Sequence, residues 1–87
     1  MARLVKYHDG DKVVTAIEVH TDGERRLLWI DGCGLRARSV PLRERVEDAG
    51  RLRPKHLKTF RRAAATFGIS PNARRDLRAA EAGLSGD

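Results

Sequence analysis

Seven cations and an amide crowd one stretch of this chain: Lys55, Lys58, Arg61 and Arg62, then Asn72, Arg74, Arg75 and Arg78. Lysine meets a phosphate as a point charge and arginine as a planar fork, and arginine or asparagine can also address base edges in a duplex groove. The chemistry expected is recognition of a polyanion, with duplex DNA as the partner. Lys55, Lys58, Arg61 and Arg62 would hold phosphates, while Asn72, Arg74, Arg75 and Arg78 approach a groove. The bland alternative is a pair of helices whose arginines are merely solvated.

Reactive groups are few. His8, His20, His56 and Cys33 share no metal-ligand spacing, so a zinc site would have to be assembled from scattered turns and strands. Cys33 stands between two glycines with neither a base nor an orienting acid placed beside it, and it permits no internal disulfide. There is no phosphate-binding glycine loop and no paired-carboxylate motif. The expectation is a non-enzyme without metal or cofactor.

Two helices must position the cations. Pro54 suits a first helical position and Gly68 a C-terminal stop, which predicts a helix over 54–67. Ser70 can cap a second helix that opens at Pro71 and stops near Gly83, predicted over 71–82. Leu57, Phe60, Ala64 and Phe67 share a face of the first, and Ala73, Leu77, Ala80 and Leu84 a face of the second. A small Ala64, Gly68 in the corner, Ile69 beneath it and Leu77 beyond follow the grammar of a helix-turn-helix. Arg74 occupies the place where an apolar residue usually faces inward, with Ala73 beside it as substitute. An ordinary helical hairpin fits the same residues.

The run LRPKHLKTFRRAAATFGISPNARRDLR, residues 52–78, resembles the C-terminal end of one family of phage terminase small subunits. In that family a basic helix is followed by Gly, an aliphatic residue, Ser or Thr, Pro and a small residue before Arg. Gly68, Ile69, Ser70, Pro71, Ala73 and Arg74 occupy those positions here. The resemblance implies a phage or prophage origin and a role in recognising viral DNA for packaging; it does not extend to the N-terminal half.

From Leu4 to Val40, short extended runs alternate with glycine turns, the pattern of an antiparallel meander of three or four strands. Asp9-Gly10 and Asp22-Gly23 are hairpin signals. The second pairs Thr21 with Glu24, Val19 with Arg26 and Ile17 with Leu28; the first is expected to pair Tyr7 with Lys12 and Val5 with Val14. One face then carries Leu4, Val13, Thr15, Ile17, Val19, Leu28 and Ile30, for the helices to cover. The other carries Val5, Tyr7, Leu27 and Trp29 with Val14 and Ala16, too apolar to be left in water. A second copy of the chain, a host or virion protein, or the chain itself must shield it. If a partner does, the protein is an interaction module whose interface is Val5, Tyr7, Leu27 and Trp29. Leu35–Val40 supplies a fourth strand, and Pro41 opens a short helix over 42–49 with Leu42, Val46 and Ala49 inward.

Eighty-seven residues make one domain: a meander over 1–40, a helical part over 41–84 and a tail over 85–87. The fold class expected is α+β, a three- to four-stranded antiparallel meander followed by three helices, the last two forming a helix-turn-helix-like hairpin. The formal charge is +6, and residues 1–50 hold nine Lys or Arg against nine acids whereas residues 51–87 hold nine against three. All the excess therefore sits on the helical end, the end expected to face an anion. No apolar stretch suits a signal peptide or membrane span, and the protein is expected in a reducing cytoplasm. RNA is a weaker partner because the few aromatics form no paired stacking motif.

Overall fold

The computed structural model describes residues 2–32 and 34–85, the last by its backbone alone. Five strands and two helices follow one another: β1 (Ala2–Asp9), β2 (Lys12–Thr21), β3 (Glu24–Asp31), β4 (Gly34–Val40), β5 (Glu47–Arg51), α1 (Pro54–Phe67) and α2 (Pro71–Ser85). All strand pairs are antiparallel, in the order β4-β3-β2-β1-β5. The class is α+β, but with two helices and five strands in place of three helices and a shorter meander.

The third helix expected over 42–49 does not form. Pro41 to Glu44 makes a turn closed by a 3.0 Å hydrogen bond from the Glu44 amide to the Pro41 carbonyl, and Glu47–Arg51 pairs with β1. Leu42, expected inward, is 64% exposed. Eight residues bounded by proline and glycine gain little from helix propensity, whereas the open backbone edge of β1 offers a ladder of hydrogen bonds. The helical part thus begins at Pro54, and α2 runs through Gly83 to Ser85; residues 86 and 87 of the expected tail lie outside the described residues.

The hairpin at Asp22-Gly23 has positive φ at both central residues, 53° and 74°, the type I′ geometry, and its register is the one its sequence predicts. The first hairpin turns at Gly10-Asp11, so Asp9 pairs with Lys12, Tyr7 with Val14 and Val5 with Ala16, two residues from the expected pairing. A slip of two leaves every side chain on its own face.

The sheet is covered on both sides. Leu4, Ile17, Val19 and Leu28 pack with Leu52, Leu57, Phe60, Ala73, Leu77 and Ala80 beneath the helices. Val5, Tyr7, Ala16, Leu27, Trp29 and Val40 form a second cluster, joined by Val14 and Val46. The strap from Pro41 to Val46 closes this side, because β4 and β5 are opposite edges and it alone joins them. In a flat sheet, four strand spacings of about 4.8 Å and a five-residue offset at about 3.4 Å would separate Val40 from Glu47 by about 25 Å. A seven-residue path that includes a tight turn reaches about 22 Å at most. The sheet must therefore curl, and the second cluster becomes an interior.

Candidate nucleic-acid interface

Each helix owes its position to local signals. The Arg53 amide donates to His56 Nδ1 at 3.0 Å, which gives α1 its N-terminal cap. Its other end closes where the Gly68 amide reaches the Ala64 carbonyl at 2.8 Å with φ of 86°, a conformation that favours glycine. Ser70 Oγ accepts the Ala73 amide at 3.2 Å and caps α2 as its sequence predicts. Leu57 and Phe60 of α1 are buried, as are Ala73, Asp76, Leu77 and Ala80 of α2. Phe67, expected to share the core, is 56% exposed, because it lies in the last turn of α1 where the inward stripe has run out.

The side chains opposite these buried stripes are the cations. Lys55, Lys58, Arg61, Arg62, Asn72, Arg74, Arg75 and Arg78 are all exposed. Lys55, Lys58 and Arg62 follow one another at three- and four-residue steps along the outer face of α1, and Arg74, Arg75 and Arg78 cover the outer turns of α2. Arg61 leans across the seam between the helices, where its Nη1 donates to Glu81 Oε2 at 3.0 Å. The other six cations make no ion pair or side-chain hydrogen bond among the described residues. Asn72 sits in the first turn of α2, beside its capped end.

The acids of the sheet are spent differently. Glu18, with a side chain only 5% exposed, meets Arg3 at 2.9 Å, His20 at 3.3 Å and Arg25 at 3.6 Å. Burial acts to raise the Glu18 carboxyl, but hydrogen bonds from Arg3 and His20 outweigh it and hold the group below its ordinary value. Arg25 Nη2 donates to the Pro41 carbonyl at 2.6 Å and to the Glu44 carbonyl, tying down the strap. Arg26 pairs with Asp76, whose hydrogen bond lifts the guanidinium above its ordinary value. Asp31 holds Arg36 at 3.0 Å. The outward surface of α1 and α2 therefore carries seven cations and the single acid Glu81, since Asp76 is fully buried.

The residues named for a protein interface lie elsewhere. Val5 and Leu27 are inaccessible, Trp29 is 4% and Tyr7 is 7% exposed. The Tyr7 and Trp29 rings pack with centroids 4.9 Å apart, and Arg38 donates to the Tyr7 hydroxyl. The strap and the curl of the sheet supply the shielding that this face requires, and these four residues are taken up by the chain's own interior.

Of the reactive groups, His56 caps α1, His20 meets Glu18, and His8 lines an open groove of 390 Å³ with Lys6, Arg45, Val46 and Glu47. None of the expected DNA-binding residues lines that groove. Cys33 lies outside the described residues. Asp76 and Arg26, which fix α2 to the sheet, were not among the residues expected to matter. An acid on the stripe of Ala73, Leu77 and Ala80, and an arginine sharing the strand parity of Leu28, were the available signal. No family model, curated protein or solved structure matches this chain.

Proposed function

We propose that this is a small, non-enzymatic DNA-binding protein of phage or mobile-element type, acting in the host cytoplasm, that holds duplex DNA against the outer face of α1 and α2. The observation that carries the reading is the one-sided placement of charge. Six cations project from two adjacent helices with no partner among the described residues, and Glu81, the one outward acid within α1 and α2, is already paired. Unpaired cations on neighbouring turns repel one another, and an anion laid across them relieves that repulsion. Duplex DNA, with one negative charge per about 1.7 Å of axis, supplies anions at the density such a face requires. The resemblance of residues 52–78 to the terminase small-subunit segment adds viral DNA as the setting.

The test is binding of the full chain to duplex DNA over a salt series. Duplex binding at low salt that is lost when Lys55, Lys58 and Arg62 are replaced together by Ala, and kept when Lys12 and Arg43 of the sheet and strap are replaced, supports the reading. No binding to any duplex at low salt, or the same loss on replacing Lys12 and Arg43, overturns it.

A further inference from the structure

From the way the two helices are seated we infer that the helix face binds duplex DNA without reading its sequence, through phosphates alone; the inference rests on the duplex-binding proposal above. A recognition helix enters the major groove by standing clear of its neighbours. That groove is about 12 Å wide and 8.5 Å deep, while a helix with its side chains is about 10–12 Å across and fills it. Here neither helix stands clear. Leu57 and Phe60 of α1 and Ala73, Leu77 and Ala80 of α2 belong to one core on one face of the sheet, so the helices share a layer. A neighbour packed about 8–10 Å away meets the phosphate backbone before α2 can reach the groove floor.

Two further contacts keep α2 in that layer. Asp76 is fully buried and holds Arg26 of β3 at 2.9 Å, fixing the helix from below. Arg61 of α1 holds Glu81 of α2 at 3.0 Å, fixing it from the side. Arg74, Arg75 and Arg78, which α2 turns outward, are side chains that grip phosphate oxygens from a flat surface. The amide and carboxylate side chains that distinguish adenine or cytosine are, on its exposed turns, only Asn72 at the first and Glu81, which Arg61 already holds.

The experiment measures binding of the full chain to a short randomised duplex pool, and to AT-rich and GC-rich duplexes, across a salt series. The expected result is affinities within about threefold of one another and no enriched motif on selection. The slope of log K against log salt should be about 5, six contacts at about 0.9 each. Arg62→Ala and Arg75→Ala should each lower that slope by about 0.9 and act equally on every sequence. A motif bound more than about tenfold tighter than the pool, with the preference lost in Arg75→Ala and kept in Arg62→Ala, overturns the inference while leaving duplex binding intact. Failure to bind any duplex even at low salt instead removes the proposal on which the inference stands.

Discussion

Arg26 Nε lies 3.0 and 2.9 Å from the two carboxylate oxygens of Asp76, a partner fifty residues further along the chain. The contact joins the middle of α2 to β3, and the two partners differ in exposure: the Asp76 side chain is inaccessible and that of Arg26 is 18% exposed. The ion pair thus roots the helix that carries Arg74, Arg75 and Arg78 and sets which way its outer face points.

Removing one partner should cost more than removing both. Asp76→Ala leaves the inward side of the Arg26 guanidinium facing an apolar layer and is expected to destabilise the fold by about 3 kcal/mol, the low end for a broken buried pair because Arg26 keeps some water and Glu24 at 3.4 Å. Replacing the pair together, as Arg26→Met with Asp76→Leu, should recover most of that loss. Urea unfolding of the wild type and the two variants measures it, and a double variant no more stable than Asp76→Ala would show that the pair contributes more than its own desolvation cost.

The two phenylalanines of α1 should behave differently despite their shared stripe. Phe60 is buried, and Phe60→Ala is expected to cost about 3–5 kcal/mol, comparable to much of the stability of a small domain. Phe67 is 56% exposed, so Phe67→Ala should shift the denaturation midpoint by less than about 1 kcal/mol in equivalent stability. Equal losses would place Phe67 against a surface that this fold does not provide.

Why the stripe misplaces Phe67 says what a sequence carries and what it does not. Period and parity are local, so the faces of β1 to β4, the bounds of α1 and the caps at Ser70 and Gly68 can be read directly. Face assignment even survives the two-residue error at the first hairpin, since the side-chain period is two. Where a stripe ends against its partner is not local, and Phe67 lies just beyond that end. The same limit explains Glu47–Arg51. Its residues suit a helix, and only the open edge of β1, far away in sequence, makes it a strand. The cationic residues are legible because exposure opposite an apolar stripe follows from period alone. Their lack of partners is not, because it depends on where Glu18, Asp31 and Asp76 are used.

Trp29 offers a direct check on the strap. At 4% exposure its emission should be blue-shifted and resistant to a water-soluble quencher in the free protein. Trp29→Arg should abolish folding, since it places an unpaired charge in the interior cluster. A folded Trp29→Arg variant that has merely lost a binding partner would mean that the strap does not cover this face.

Acid should weaken the strap side first. The folded-state value of Glu18 lies below its ordinary 4.5, so its contribution is complete above about that pH and is lost as pH falls through the lower folded value. Glu18→Gln should therefore flatten the fall in stability below about pH 4.5, and Arg3→Met should flatten part of it, because Arg3 supplies the larger of the two hydrogen bonds holding the group down. Stability measured between neutral pH and pH 3 decides the matter; identical slopes in wild type and Glu18→Gln would assign the acid sensitivity to other carboxylates.

The cation with a partner gives the sharpest distinction within the helix face. Arg61 and Arg62 are neighbours in sequence and both exposed, and their types alone predict equal effects on DNA binding. Their surroundings differ, because Arg61 is held by Glu81 at 3.0 Å whereas Arg62 has no ion pair among the described residues. An arginine already neutralised has fewer phosphate counterions to displace, so Arg62→Ala should lower the salt slope by about 0.9 and Arg61→Ala by clearly less. Glu81→Gln should act in the opposite direction. It removes the only acid of that face and releases Arg61, which is expected to tighten duplex binding and to steepen the slope by up to about 0.9. Because an exposed ion pair contributes about 0–1 kcal/mol to stability, the variant should remain folded and its tighter binding should read as charge alone. Unchanged affinity and slope in Glu81→Gln, with Arg61→Ala and Arg62→Ala equal to each other, would place the bound duplex away from the seam where Arg61 and Glu81 meet.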